Sequence, residues 1–177
     1  MLPGQSAKDP ILSSLPGYID IVGVDSSLEG ETLTAIFHLR EIPEEMAFNR
    51  EDVEDINLEY MWTVGISIES ETLVTSDQTD YSLVTFHGAR RKSADTPATV
   101  RPFKEEVETM VWKHKHFPEK NETHLLEVPV NPRLIVSHDD NTLTLIGRIK
   151  GITHESTISF STFDILLGQD GVSCQPG

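Results

Sequence analysis

Two stretches of this chain carry residues whose types and spacing suit chemistry. His114-Lys115-His116 is an H-x-H triplet. On a strand, side chains two apart share a face about 6.5–7 Å apart, so both imidazoles can reach one transition metal. No third ligand stands out, and the adjacent lysines disfavour a cation, so a polar strand face is the default reading of the triplet. Glu69, Glu71, Asp77 and Asp80 put four acids within twelve residues. Calcium takes about six to eight oxygens, several from carboxylates on a flexible loop. These four are therefore the candidate metal ligands. Their spacing is not that of an EF-hand, and a solvated hairpin loop is the competing reading. Asp139, Asp140 and Asn141 form a second oxygen cluster, which turn chemistry explains fully.

Aromatic side chains are the other resource. A sugar-binding surface needs rings that offer an apolar face to pyranose C–H groups, beside a few polar groups. Trp112, Tyr81, His114 and His116 are the candidate ligand-binding residues, with Trp62 and Tyr60 reading as core. For nucleophilic catalysis there is no G-x-S-x-G elbow, and the one cysteine, Cys174, lies three residues from the C-terminus. No catalytic residue is assigned and an enzyme is not expected.

These residues need strands to hold them. Residues 58–69, LEYMWTVGISIE, alternate with Leu58, Tyr60, Trp62, Val64, Ile66 and Ile68 on one face, the signature of a half-buried strand. A polar segment over 70–80 and a β-rich run over 81–86 then complete a hairpin with a long acidic loop. Residues 18–25 are the first strand, mixed in polarity and expected between two layers. Gly30 supplies the positive φ of a tight turn. Residues 32–40 alternate cleanly, with Leu33, Ala35, Phe37 and Leu39 inward. Pro43 stops that strand, and the acidic stretch to residue 56 has room for one short helical turn. Residues 107–117 mix helical and strand signals, and the alternation of Met110, Trp112, His114 and His116 favours a strand. Strands also read over 125–130, 133–137, 142–150 and 156–167, with Pro129 and Pro132 at edges or bulges.

At 177 residues, 37% of them hydrophobic, the chain suits one β-sandwich. No apolar run approaches the roughly 18 residues of a membrane span. The net charge is −15, from 29 acids against 14 bases. That argues against nucleic acid, whose backbone must be met by lysine and arginine, and against an anionic membrane surface. One cysteine allows no internal disulfide; its thiol is incidental or an intermolecular link.

The run IDIVGVDSSLEGETLTAIFHL, then WTVGISIE and a D-Y strand, and the ending RIKGITHESTISFSTFD resemble exported bacterial β-sandwich domains of the group around DOMON domains and family 9 carbohydrate-binding modules. The resemblance spans residues 18–167. It implies a secreted or cell-surface protein whose leader has been removed, a glycan or other small extracellular ligand, and calcium. Haem, held by a methionine and a histidine in some members, is a further option, with Met61, Met110 and seven histidines present. This chain departs from the family where an I-D-x-D pair of acids would fall: it has Ser67 and Glu69.

The expectation is an all-β protein, a single antiparallel sandwich of immunoglobulin-like or jelly-roll-like type. A flexible tail covers residues 1–17, the sandwich 18–167 and a second tail 168–177. The function expected is non-catalytic ligand binding, most plausibly of glycan and stabilised by calcium. The alternative is a structural or adhesive subunit that self-associates.

Overall fold

Strict alternation has its expected consequence in residues 32–39. Leu33, Ala35, Phe37 and Leu39 are buried while the residues between them are not, because successive side chains on a strand point to opposite faces. The computed structural model describes residues 17–46, 60–68, 79–87, 101–102, 107–164 and 169–170. It is an all-β sandwich of two antiparallel sheets.

The first sheet holds β1 (Ile21–Glu29), β2 (Thr32–Leu39), β9 (Arg133–Ser137) and β10 (Thr142–Arg148) in the order β1-β2-β10-β9. The second holds β4 (Tyr60–Ser67), β5 (Tyr81–His87), β7 (Val107–Phe117), β8 (Glu122–Glu127), β11 (Thr157–Asp164) and β12 (Gln169–Asp170) in the order β12-β11-β4-β5-β7-β8. A short ribbon pairs β3 (Glu45–Met46) with β6 (Arg101–Pro102). Among the described residues the only helical turns are of the 3-10 type, Gly17–Ile19 and Pro118–Lys120.

The inner faces meet in one core. Phe37 of the first sheet packs edge-on against Phe160 of the second, ring centroids 5.0 Å apart, an arrangement the ring quadrupoles favour. Trp62 is fully buried, and its indole N–H donates to the carbonyl of Tyr18 at 2.7 Å. Thr162 Oγ1 donates to the carbonyl of Ile19 at 2.6 Å. Buried polar groups are thereby satisfied, as burial requires, and residues 17–19 are tied across the end of the second sheet.

The central position of residues 58–69 holds: β4 lies between β5 and β11, with Tyr60, Trp62, Val64 and Ile66 inward. Two expectations need correction. The first strand begins at Ile21 rather than at residue 18, because Gly17–Ile19 forms a turn. It is not sandwiched between layers either. β1 is an edge strand, irregular between Ile21 and Gly23, and Asp25, Ser26 and Ser27 are exposed. Pro129 and Pro132 interrupt no strand; they lie in the crossing between β8 and β9. Gly30 has φ 59° at the first position of the β1–β2 turn, the requirement of a type II′ hairpin. Gln169–Asp170, within the expected C-terminal tail, pair with residues 163–164. No helix among the described residues is long and apolar enough to cross a membrane.

Candidate functional site

β7 carries most of the residues singled out from the sequence. Residues 107–113 pair with β5, and residues 112–117 pair with β8. The far half of β7 therefore lies beyond its β5 partner and forms a two-stranded ribbon with β8. The ribbon is closed by the 3-10 turn Pro118–Lys120 and by Asn121, whose φ of 53° ends the turn. Every residue of β8 is exposed, including Leu125 at 48% and Leu126 at 50%.

Trp112, His114 and His116 share the ribbon face that points away from the sandwich core. Trp112 stands directly opposite Glu127, His114 opposite Leu125 and His116 opposite Thr123. Opposite side chains on an antiparallel pair have Cβ atoms about 4.5–5.5 Å apart. Trp112 is half-buried and rests on Phe86, ring centroids 5.6 Å apart. Phe86 and Val84 also point away from the core, yet they are only 5% and 1% exposed. β5 is therefore buried on both faces, which supports the indole from below. Tyr81 is not part of this face. It pairs with Ile66 and Lys113, is buried in the core cluster, and lies beneath the Lys113 ammonium at 5.8 Å. The structure brings three of the four expected ligand-binding residues together and puts the fourth on the opposite side of the sheet.

The two histidines clasp the chain just ahead of β5. His116 Nε2–H donates to the carbonyl of Thr79 at 2.9 Å, a bond that fixes the tautomer because a carbonyl only accepts. His116 Nδ1 then faces the Thr123 hydroxyl at 2.9 Å. His114 Nε2 and Ser82 Oγ share a hydrogen bond at 2.6 Å, and the His114 backbone N–H donates to the carbonyl of Asp80 at 2.8 Å. Burial, and next the neighbouring His116, push the His114 imidazole below its ordinary proton affinity, against a smaller opposing pull from Asp80. Its Nδ1 is buried with no hydrogen-bond partner among the described residues.

A Ser–His contact of this length invites comparison with an activated nucleophile, which needs a third group to orient the base. Among the described residues no group orients His114 from its other nitrogen. The Asp80 carboxylate instead accepts the Ile68 backbone N–H at 2.7 Å, and Ser82 is 5% exposed. The pair joins β5 to β7 rather than presenting a hydroxyl to substrate.

Of the four expected cation ligands, Asp80 is committed to this backbone bond, and Glu69, Glu71 and Asp77 lie outside the described residues. Among the described residues no three metal-ligating side chains converge. The H-x-H pair has ring centroids 6.2 Å apart, with both Nε2 atoms already engaged. Met110 lies on the Trp112 face four residues from His114, roughly 13 Å along an extended strand, and His114 Nε2 is already bonded to Ser82. Glu127 was missed from the sequence: an isolated acid in an apolar-polar mixture gains meaning only from its register opposite Trp112.

Comparison with known proteins gave no matching family model, no matching curated sequence and no matching solved structure. The functional reading rests on the geometry.

Proposed function

We propose that the protein is a non-catalytic module that binds a neutral glycan on the outward face of the β7–β8 ribbon. The observation that carries this reading is the pairing of Trp112 with Glu127 across the ladder. A half-buried indole braced by Phe86 offers a rigid apolar face to sugar C–H groups, and the adjacent carboxylate accepts sugar hydroxyls. The test is titration of soluble oligosaccharides followed by calorimetry. Trp112→Ala is expected to weaken binding at least tenfold, about 1.4 kcal/mol, and Glu127→Gln to weaken it less. Unchanged affinity in Trp112→Ala rules this surface out.

Calcium enters the proposal through residues 69–80, whose last member is held in place by the Ile66 carbonyl at 2.9 Å and the Ile68 amide. Thermal unfolding in EDTA and in excess calcium tests it. A ligand confined to the folded state adds about 2.7 kcal/mol at a hundredfold excess over its dissociation constant. An absent shift removes calcium from the proposal.

Self-association is the second reading, and one observation favours it. Among the described residues β8 is the edge strand of its sheet, with exposed Leu125 and Leu126, the kind of edge that recruits a further strand. A monomer in light scattering across the micromolar range eliminates it.

A further inference from the structure

At the other edge of the second sheet the two layers part. A cleft of about 500 Å³ opens there between β1–β2 and residues 153–158, within the usual range of about 300–1,000 Å³ for small-ligand sites. Its floor is aliphatic: Leu28 and Leu33 from the first sheet and Ile158 from the second. Leu33 is fully buried, while Leu28 and Ile158 are partly buried against the core. The cleft is therefore an open end of the hydrophobic core.

The rim is made of hydroxyls. Ser26, on the inner face of β1 opposite Ala35, supplies one, and Ser156 another from the β10–β11 connection; Ser27, opposite Thr34, borders the cleft with its side chain on the outer face. That connection is locally fixed. The Thr153 N–H donates to Ser156 Oγ at 3.0 Å, and the Glu155 N–H donates to Thr153 Oγ1 at 3.2 Å. Side-chain bonds of this kind hold a turn without a regular ladder. The rim loop is further anchored because the Gly151 N–H donates to Glu31 Oε1 at 3.1 Å and Arg148 donates to Glu31 Oε2 at 2.9 Å. The exposed imidazole of His154 completes the rim.

The lining selects a ligand class. Among the described residues no lysine, arginine or carboxylate lines the cleft, and a charged group buried without a partner is unfavourable. Asp25, Glu29 and Glu155 flank the rim in sequence and repel an anion. No aromatic ring of the described residues lines it either, so they offer no stacking face for a pyranose. We propose that this cleft binds a neutral amphiphile, an aliphatic chain on the partly buried Leu28 and Ile158 with hydroxyl or ester oxygens at the serine rim. The site is separate from the Trp112 face: β4 and β5 lie between β11 and β7 in the sheet, and neither Trp112 nor Glu127 lines the cleft.

The probe is 1-monooctanoylglycerol below its micelle concentration, titrated into the full chain by amide-resolved NMR and calorimetry. Saturable binding is expected, with shift changes concentrated at residues 26–28, 33 and 153–158. Octanoate, which adds a charge, and maltose, which removes the chain, are expected to bind at least tenfold more weakly. Ser26 stands opposite the buried Ala35 in the β1–β2 ladder, so a larger side chain at 26 grows into the cleft. Ser26→Phe is expected to weaken monooctanoylglycerol at least tenfold. Absence of saturable binding, shifts centred elsewhere, or maltose binding as tightly as the amphiphile each overturn the proposal. The shift map decides the matter even where Ser26→Phe fails to fold.

Discussion

Gly147→Ala should destabilise the protein measurably although it adds one methyl group. Gly147 stands opposite Leu33 in the β2–β10 ladder, on the inner face of the first sheet. A Cβ there would lie 2.9 Å from Leu83 Cδ1, 3.2 Å from Leu83 Cδ2 and 3.4 Å from Val111 Cγ2. Leu83 and Val111 belong to the facing sheet and are fully buried, so neither methyl has open space to move into. Overpacking of this kind costs about 1–3 kcal/mol. Restricting the unfolded chain offsets about 0.4–1 kcal/mol. The net loss is roughly 1–2 kcal/mol, which for a chain of this size lowers Tm by about 2–8 °C. Calorimetry and urea unfolding measure it. Leu83→Ala alone should cost about 2–5 kcal/mol. In the double variant the new methyl occupies the space Leu83 leaves, so the combined loss should fall short of the sum by about 0.5–3 kcal/mol. A Gly147→Ala protein as stable as wild type, or strict additivity in the cycle, would refute this apposition of the two sheets.

Three further outcomes follow from the same geometry. His114 has its folded-state proton affinity lowered by burial, then by His116, so the unfolded chain binds the proton more readily. Stability is then complete above about pH 6.5 and declines as pH falls through that value; His114→Gln should flatten the Tm-versus-pH slope between about pH 7.5 and 5.5, and an unchanged slope excludes the cause. Glu31 is held below its usual carboxylate range by the Gly151 N–H and then by Arg148, so its contribution is present above about pH 4.5 and lost in stronger acid. Glu31→Gln should reduce the acid sensitivity of unfolding. Only two tryptophans are present, and Trp62 is fully buried; acrylamide should quench only Trp112, and Trp112→Phe should leave emission almost unquenchable.

Strands whose environment differs between their two faces were the most legible. β2 and β4 alternate because one face meets the core, and period-two hydropathy records that directly. The turn at Gly30 was legible for a separate reason: a left-handed φ admits few residues other than glycine. β1 was misjudged because mixed polarity arises both in a strand covered on two sides and in an exposed edge strand, and composition does not separate them. The hidden coverage of β5 shows the same ambiguity in reverse. The run 81–86 read only as β-rich, and nothing in it shows that Val84 and Phe86 are covered on the outward face. At the site, periodicity put Trp112, His114 and His116 on one face. The opposite facing of Tyr81 depends on the β5–β7 register, a non-local quantity. Glu127 depends on the β7–β8 register in the same way.

Register also sorts charge in a way composition hides. The molecule carries a net charge of −15, yet Lys113, Lys115 and Lys120 gather at the ribbon. Lys113 lies over Tyr81, and Lys115 and Lys120 lie over Phe117 at 5.0 and 5.9 Å. Cation–π contacts hold these ammonium groups against rings rather than leaving them free to reach a ligand. Lys113 and Lys115 alternate with Trp112, His114 and His116 along β7, so they project from the opposite face. The Trp112 face carries that ring, the Glu127 carboxylate and two internally bonded imidazoles, with Met110, Thr123 and the exposed Leu125 beside them. An anionic sugar would meet Glu127 there with no cation opposite among the described residues, whereas a neutral one meets an acceptor for its hydroxyls. The wider negative field is screened beyond about 8 Å at physiological ionic strength, so it contributes little to a neutral ligand's affinity. The alternation that makes β7 a strand is therefore also what separates its cations from the surface proposed to bind.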